Sequence, residues 1–142
     1  MLHRPSPRAQ VGGVAAVLDS ERLDAYAVAL AFQTLAARLS RRLSGPLRDQ
    51  LDRASLSTLL NVAEGVGRTQ PGDKARFYAI SRGSASECAA LVDVLRARGL
   101  AEASLCTQAR TLLVRIVQMT TGLEKAMRRR QERLSAVARR AG

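Results

Sequence analysis

The 142-residue chain has no tryptophan, a single histidine, two cysteines and four aromatic residues: Tyr26, Phe32, Phe77 and Tyr78. Its histidine is His3, next to the N-terminus. That excludes haem ligation by histidine, the Glu-x-x-His pairs of a ferritin-like dimetal site, and an obvious general base for a serine nucleophile in the body of the chain. Cys88 and Cys106 fall in helical patterns with no histidine beside them. Neither a zinc site nor a disulfide is expected, and two isolated, shielded thiols suit a reducing cytoplasm. No apolar run approaches the ~18–20 residues of a membrane span. Val11 to Leu18 is short and contains two glycines, so it does not read as a signal peptide. Four prolines and few β-branched residues favour an all-helical chain. No cofactor or metal is expected.

Acidic side chains are also scarce. Twelve carboxylates face 23 basic residues, for a net charge of +11. Residues 124–142 carry seven positive and two negative side chains, or +5; residues 1–18 add +2; residues 19–123, with fourteen positives and ten negatives, add +4. A chain so charged attracts polyanions, with affinity that falls as salt rises. Only two of the basic residues are lysine, and an arginine bias of that kind also follows from a GC-rich genome.

The apolar spacing predicts four helices. Residues 1–18, with Pro5, Pro7, Gly12 and Gly13, read as a disordered tail with at most a helical turn from Val14 to Leu18. The first helix is expected from Asp19 or Ser20 to about Leu43, with Leu23, Tyr26, Leu30, Gln33 or Thr34, and Ala37 on its inner stripe. Ser44-Gly45-Pro46 breaks it and opens the second, from Pro46 to about Val66, with Gly67 as its stop. Pro71 opens the third, whose stripe reads Phe77, Ile80, Ser84, Glu87, Leu91 and Leu95, and Gly99 ends it. The fourth starts near Ala101 with Leu105, Ala109, Leu112, Ile116, Met119 and Leu123 at bundle spacing. Short loops between long helices predict an antiparallel up-down-up-down four-helix bundle over residues 19–127, followed by a partly helical basic extension over 128–142.

Two sets of residues are singled out. Ser57, Asn61, Glu64, Arg68, Arg76, Ser84 and Glu87 are polar residues inside the hairpin of helices two and three. Counting outward from the turn puts Glu64 near Arg76 and Ser57 near Gly83, whose missing side chain would allow close approach. Glu87 needs a cation, with Arg53, Arg68 and Arg76 in reach. This set is either an active site or a network that fixes helix register; without a base or a metal motif, the network is the better reading. The second set is Lys125, Arg128, Arg129, Arg130, Arg133, Arg139 and Arg140, cations that can lie along phosphates. No aromatic is interleaved, so base stacking is not indicated. The alternative is a solvated helix end.

The segments RASLSTLLNVAEGVGR and KARFYAISRGSASECAALVDVL resemble the signature of the four-helix-bundle proteins named after the 23S rRNA intervening sequence. The matching positions are Arg53, Ala54, Ser57, Asn61, Ala63, Glu64, Gly65, Gly67 and Arg68, then Arg76, Phe77, Gly83, Ser84 and Glu87. Where the family usually has a proline in the second helix, this chain has Leu59, which predicts a straighter helix. The resemblance implies a homo-oligomeric bundle, with a ring of five favoured. It also implies kinship with the accessory variability determinant of diversity-generating retroelements, which binds nucleic acid and a reverse transcriptase. The expectation is a non-enzymatic cytoplasmic oligomer that binds RNA or DNA, with a reverse transcriptase as a further partner. A scaffold that docks an acidic protein is the alternative.

Overall fold

The computed structural model describes the backbone from residue 14 and the side chains from residue 21; the expectations for His3 and for residues 1–13 of the tail lie outside the described residues. Four helices account for almost all of it: α1 (Val14–Ser40), α2 (Gly45–Gly67), α3 (Pro71–Ala97) and α4 (Ala103–Ala141). Helix α1 begins before the Asp19 cap, so it takes in residues 14–18. Helix α4 runs without a break through the basic extension.

The connections are cut by the residues that the sequence suggests. Ser44 is extended at the start of α2, Gly45 takes φ +61, and Pro46 occupies the first turn, where its missing N–H costs nothing. Gly99 adopts φ +65 just past α3, the left-handed conformation that an L side chain disfavours. Pro71 starts α3.

Helix α1 packs on α2 and α4, and α3 packs on the same two helices. Contacts give the directions. Ser40 meets Asp52 while Gln33 donates to the carbonyl of Ser55. Arg53 meets Glu87 while Lys74 reaches Gly65. Arg110 meets Asp93 while Arg82 meets Glu124. In each pair one index rises as the other falls, so successive helices are antiparallel.

The core is built from small residues and a few large ones. Ala29, Ala36, Ala54, Ala85 and Ala109 are fully or almost fully buried, letting the helices approach, while Phe32, Leu39, Leu51, Leu95, Leu113 and Ile116 fill the volume. At the end of the bundle near the α2–α3 turn, a second cluster gathers Ala25, Val62, Ala75, Leu123 and Met127 around Tyr78. Gly65 makes room for that ring: a Cβ there would lie 2.6 Å from Tyr78 Cε1. Gly83, expected at the close approach, is exposed with nothing within 4 Å of such a Cβ.

Two stripes differ from the sequence reading. In α1 the buried positions are Ala25, Val28, Ala29, Phe32, Ala36 and Leu39, while Leu23, Tyr26 and Leu30 are exposed. The helix carries apolar residues nearly all round, so periodicity could not choose a face. In α3 the buried line passes through Ala75, Tyr78, Ser81, Ala85, Cys88 and Val92, one residue beyond the expected Phe77, Ile80, Ser84 and Glu87. Ser81 is acceptable inside because its hydroxyl donates to the carbonyl of Thr58 at 2.7 Å. Of the expected line, Phe77, Ile80, Ser84 and Glu87 lie along the boundary with solvent, while Leu91 and Leu95 are buried as expected.

Candidate nucleic-acid interface

The hairpin motif lies on an outward-facing seam of α2 and α3. Ser57 Oγ and Ser84 Oγ are 2.7 Å apart, and Asn61 Nδ2 donates to the Ser57 carbonyl at 2.8 Å and to its hydroxyl at 3.1 Å. Arg53 donates to Glu87 at 2.5 Å, which answers the demand of that carboxylate for a cation. The expected Glu64–Arg76 pair does not form. Glu64 accepts from Arg68 at 3.3 Å on its own helix, and Arg76 lies 3.9 Å from Asp73. Helical side chains lean toward the N-terminus, which carries Arg76 back along α3. Both guanidinium groups sit over the Phe77 ring, at 4.7 Å for Arg68 and 4.4 Å for Arg76. The seam therefore has three arginines, each paired with a carboxylate. Beside them Leu56, Leu60 and Ile80 are 50%, 51% and 41% exposed.

The two serine hydroxyls face each other, and each carboxylate of the seam, Glu64, Glu87 and Asp73, lies against an arginine. Cys88 is buried behind the seam, and burial pushes its thiol up to about 11, so it stays neutral. Among the described residues, no group of three His, Cys, Asp or Glu side chains is placed to hold a metal.

The outer face of α4 is a different surface. The helix is 39 residues long, about 58 Å at 1.5 Å per residue, against 27 residues in α3. Gln131 packs beside Gly72 at the start of α3, so the last turns project past the α2–α3 turn. Lys125, Arg129, Arg133 and Arg140 recur at spacings of four, four and seven, which places them on one face, opposite the buried line through Leu123 and Met127. Arg115 extends that face toward the middle of the bundle. All five are exposed and none is in an ion pair among the described residues. Gln118 falls between them, and Thr111 lies one turn before Arg115, as neutral hydrogen-bonding groups.

The remaining expected cations are placed differently. Arg128 is held by Glu124 at 3.0 Å, and Arg82 donates to the same carboxylate from α3. Burial raises the pKa of Glu124, but the bonds from Arg82 and Arg128 outweigh it and hold the group below the usual carboxylate range. Arg130 is exposed and in no ion pair among the described residues; its charge, after burial and Arg22, helps lower the pKa of Lys74. Lys74 itself is tied down, donating at 2.9 Å to the carbonyls of Gly65 and Val66 at the end of α2. Arg139 is in the last turn, on the flank of the α4 face. Arg115 was missed because it stands ten residues before Lys125 in a neutral stretch; only the helical phase connects it to the others.

The fold is thus a four-helix bundle with one charge-paired, partly apolar seam and one unpaired cationic face. Residues 21–129 match the 23S rRNA-intervening sequence protein family, and the chain belongs to that family. No curated protein matches it. Among the described residues, no helix is long and apolar enough to cross a membrane.

Proposed function

We propose that this protein is a non-enzymatic, self-associating bundle that binds the phosphate backbone of RNA or DNA. The observation that carries the reading is the outer face of α4: five exposed cations on one line with no carboxylate partner among the described residues. Unpaired guanidinium groups keep their full charge for a phosphate, whereas paired ones must first give up a partner. Base-specific readout has no support, because no aromatic or recognition motif accompanies the cations.

Self-association is assigned to the α2–α3 seam. On a chain with a net charge of +11, copies repel each other, and the seam is the surface where every arginine is neutralised. Leu56, Leu60 and Ile80 supply apolar area there. A ring of five, as the family resemblance implies, would present five α4 faces at once, so that weak phosphate contacts add through effective concentration. Leu60→Glu should lower the mass in solution; an unchanged mass would move the contact elsewhere.

Binding is tested by fluorescence anisotropy with labelled RNA and DNA duplexes over a salt series. Tight binding at low salt that weakens steeply supports the reading, and no binding at low salt ends it. A second reading has its own observation: Leu134 and Val137, 51% and 62% exposed, give the projecting end of α4 an apolar side that suits an acidic protein partner. By the family resemblance, a reverse transcriptase is one such partner. Capture from nuclease-treated lysate separates the two: a retained protein favours scaffolding, and loss on nuclease treatment favours nucleic acid.

A further inference from the structure

At the opposite end of the bundle from the C-terminus of α4, the last turns of α1 meet the α3–α4 connection around an opening of about 170 Å³. Arg38, Arg41 and Arg42 line it, together with Leu100, Glu102 and Leu105. The three arginines, and Glu102, the one carboxylate in the lining, are exposed and in no ion pair among the described residues. The sequence has no acidic residue between Asp24 and Asp49, and Asp52, across on α2, is already engaged by Ser40 and Arg48.

This arrangement has a cost. Arg38 and Arg42 are one turn apart, and like charges at that spacing repel. The negative end of α1 offsets part of the repulsion. It does not explain why three cations border a concave opening with a single, unpaired carboxylate. An anion in the opening would neutralise them, and guanidinium groups at a concave surface suit the several oxygens of a phosphate.

We infer that the Arg38, Arg41 and Arg42 notch is a second phosphate anchor, engaged by the nucleic acid that lies along α4. The inference rests on the polyanion-binding reading above. From Glu102 to Arg129 along α4 is about 40 Å, or roughly 12 base pairs at 3.4 Å each. A duplex of about 20 base pairs is therefore long enough to touch both places.

The test compares salt dependence for such a duplex with the full-length protein, an Arg38→Gln/Arg41→Gln/Arg42→Gln variant, and a variant with Arg115, Lys125, Arg129, Arg133 and Arg140 replaced by Gln. Each lost phosphate contact should flatten the slope of log K against log salt by about 0.9. The notch variant is expected to lose up to about 2.7 units of slope and about tenfold or more in affinity at low salt. The matching Arg→Lys triple, which keeps the charge, should retain the slope; an equal loss there would trace the effect to folding and overturn the inference. An unchanged slope in the notch variant, with a clear loss in the α4 variant, overturns the notch alone. Unchanged slopes in both overturn the polyanion reading itself.

Discussion

The α2–α3 seam and the outer face of α4 both display arginines, but their electrostatic states are opposite. On the seam, Arg53, Arg68 and Arg76 each face a carboxylate, and exposed leucines stand beside them. On α4, Arg115, Lys125, Arg129, Arg133 and Arg140 face solvent with no partner among the described residues. Counting charges would give both surfaces the same role. On the proposed reading, pairing suits the seam to holding helices and subunits, and α4 to meeting an anion.

The largest effect that separates the two regions should come from beneath the seam. Gly65→Val would drive a branched side chain into the Tyr78 ring, which is fully buried and cannot swing away. A loss of about 3 kcal/mol is expected in urea unfolding. Polyanion binding by the folded fraction should be unchanged; a loss there would break the division.

Next comes Glu124, the carboxylate that fixes Arg82 and Arg128. Its folded pKa is depressed, so its contribution is complete above the unfolded value near 4.5 and disappears as pH falls through the folded value. Glu124→Gln should cost about 2 kcal/mol at neutral pH and flatten that part of the acid profile, read by thermal melts from pH 6 to 3.

At alkaline pH the sign reverses. Burial holds the Cys88 thiol up at about 11 and the Tyr78 phenol up at about 12. The folded state then keeps protons that the unfolded chain releases. Stability should therefore fall as pH rises from 9 toward 11, on the order of 2 kcal/mol from Cys88, with Tyr78 extending the loss above pH 10. Cys88→Ala should remove the first portion of that pH dependence.

The smallest effect belongs to the motif residue that the hairpin count made important. Glu64 pairs only with Arg68 one turn away, and both are about half exposed. Glu64→Gln should change stability by less than about 0.5 kcal/mol. A larger loss would return the motif to a cross-helix locking role.

Four helices, their glycine and proline stops and the family were legible in the sequence because periodicity, caps and motif spacing all agree there. The inner face of α1 and that of the first half of α3 were not. Alanine on every side of α1 leaves no single apolar stripe, and in α3 buried Ser81 beside exposed Ile80 inverts the usual signal. The Glu64–Arg76 pair failed because residue counting ignores the lean of helical side chains. The cations of α4 were legible as a run, but the capture of Arg128 by Glu124 was not. Glu124 and Met127 are buried, so truncation from residue 124 would damage the bundle along with the basic segment, and substitution is the cleaner probe.

The most direct test of the division is one salt series on the variant with Arg115, Lys125, Arg129, Arg133 and Arg140 replaced by Gln, read beside its melting curve and its mass in solution. The account predicts a slope of log K against log salt that is shallower by about four units, with fold and mass unchanged. The wild-type slope in a folded variant of unchanged mass would contradict it.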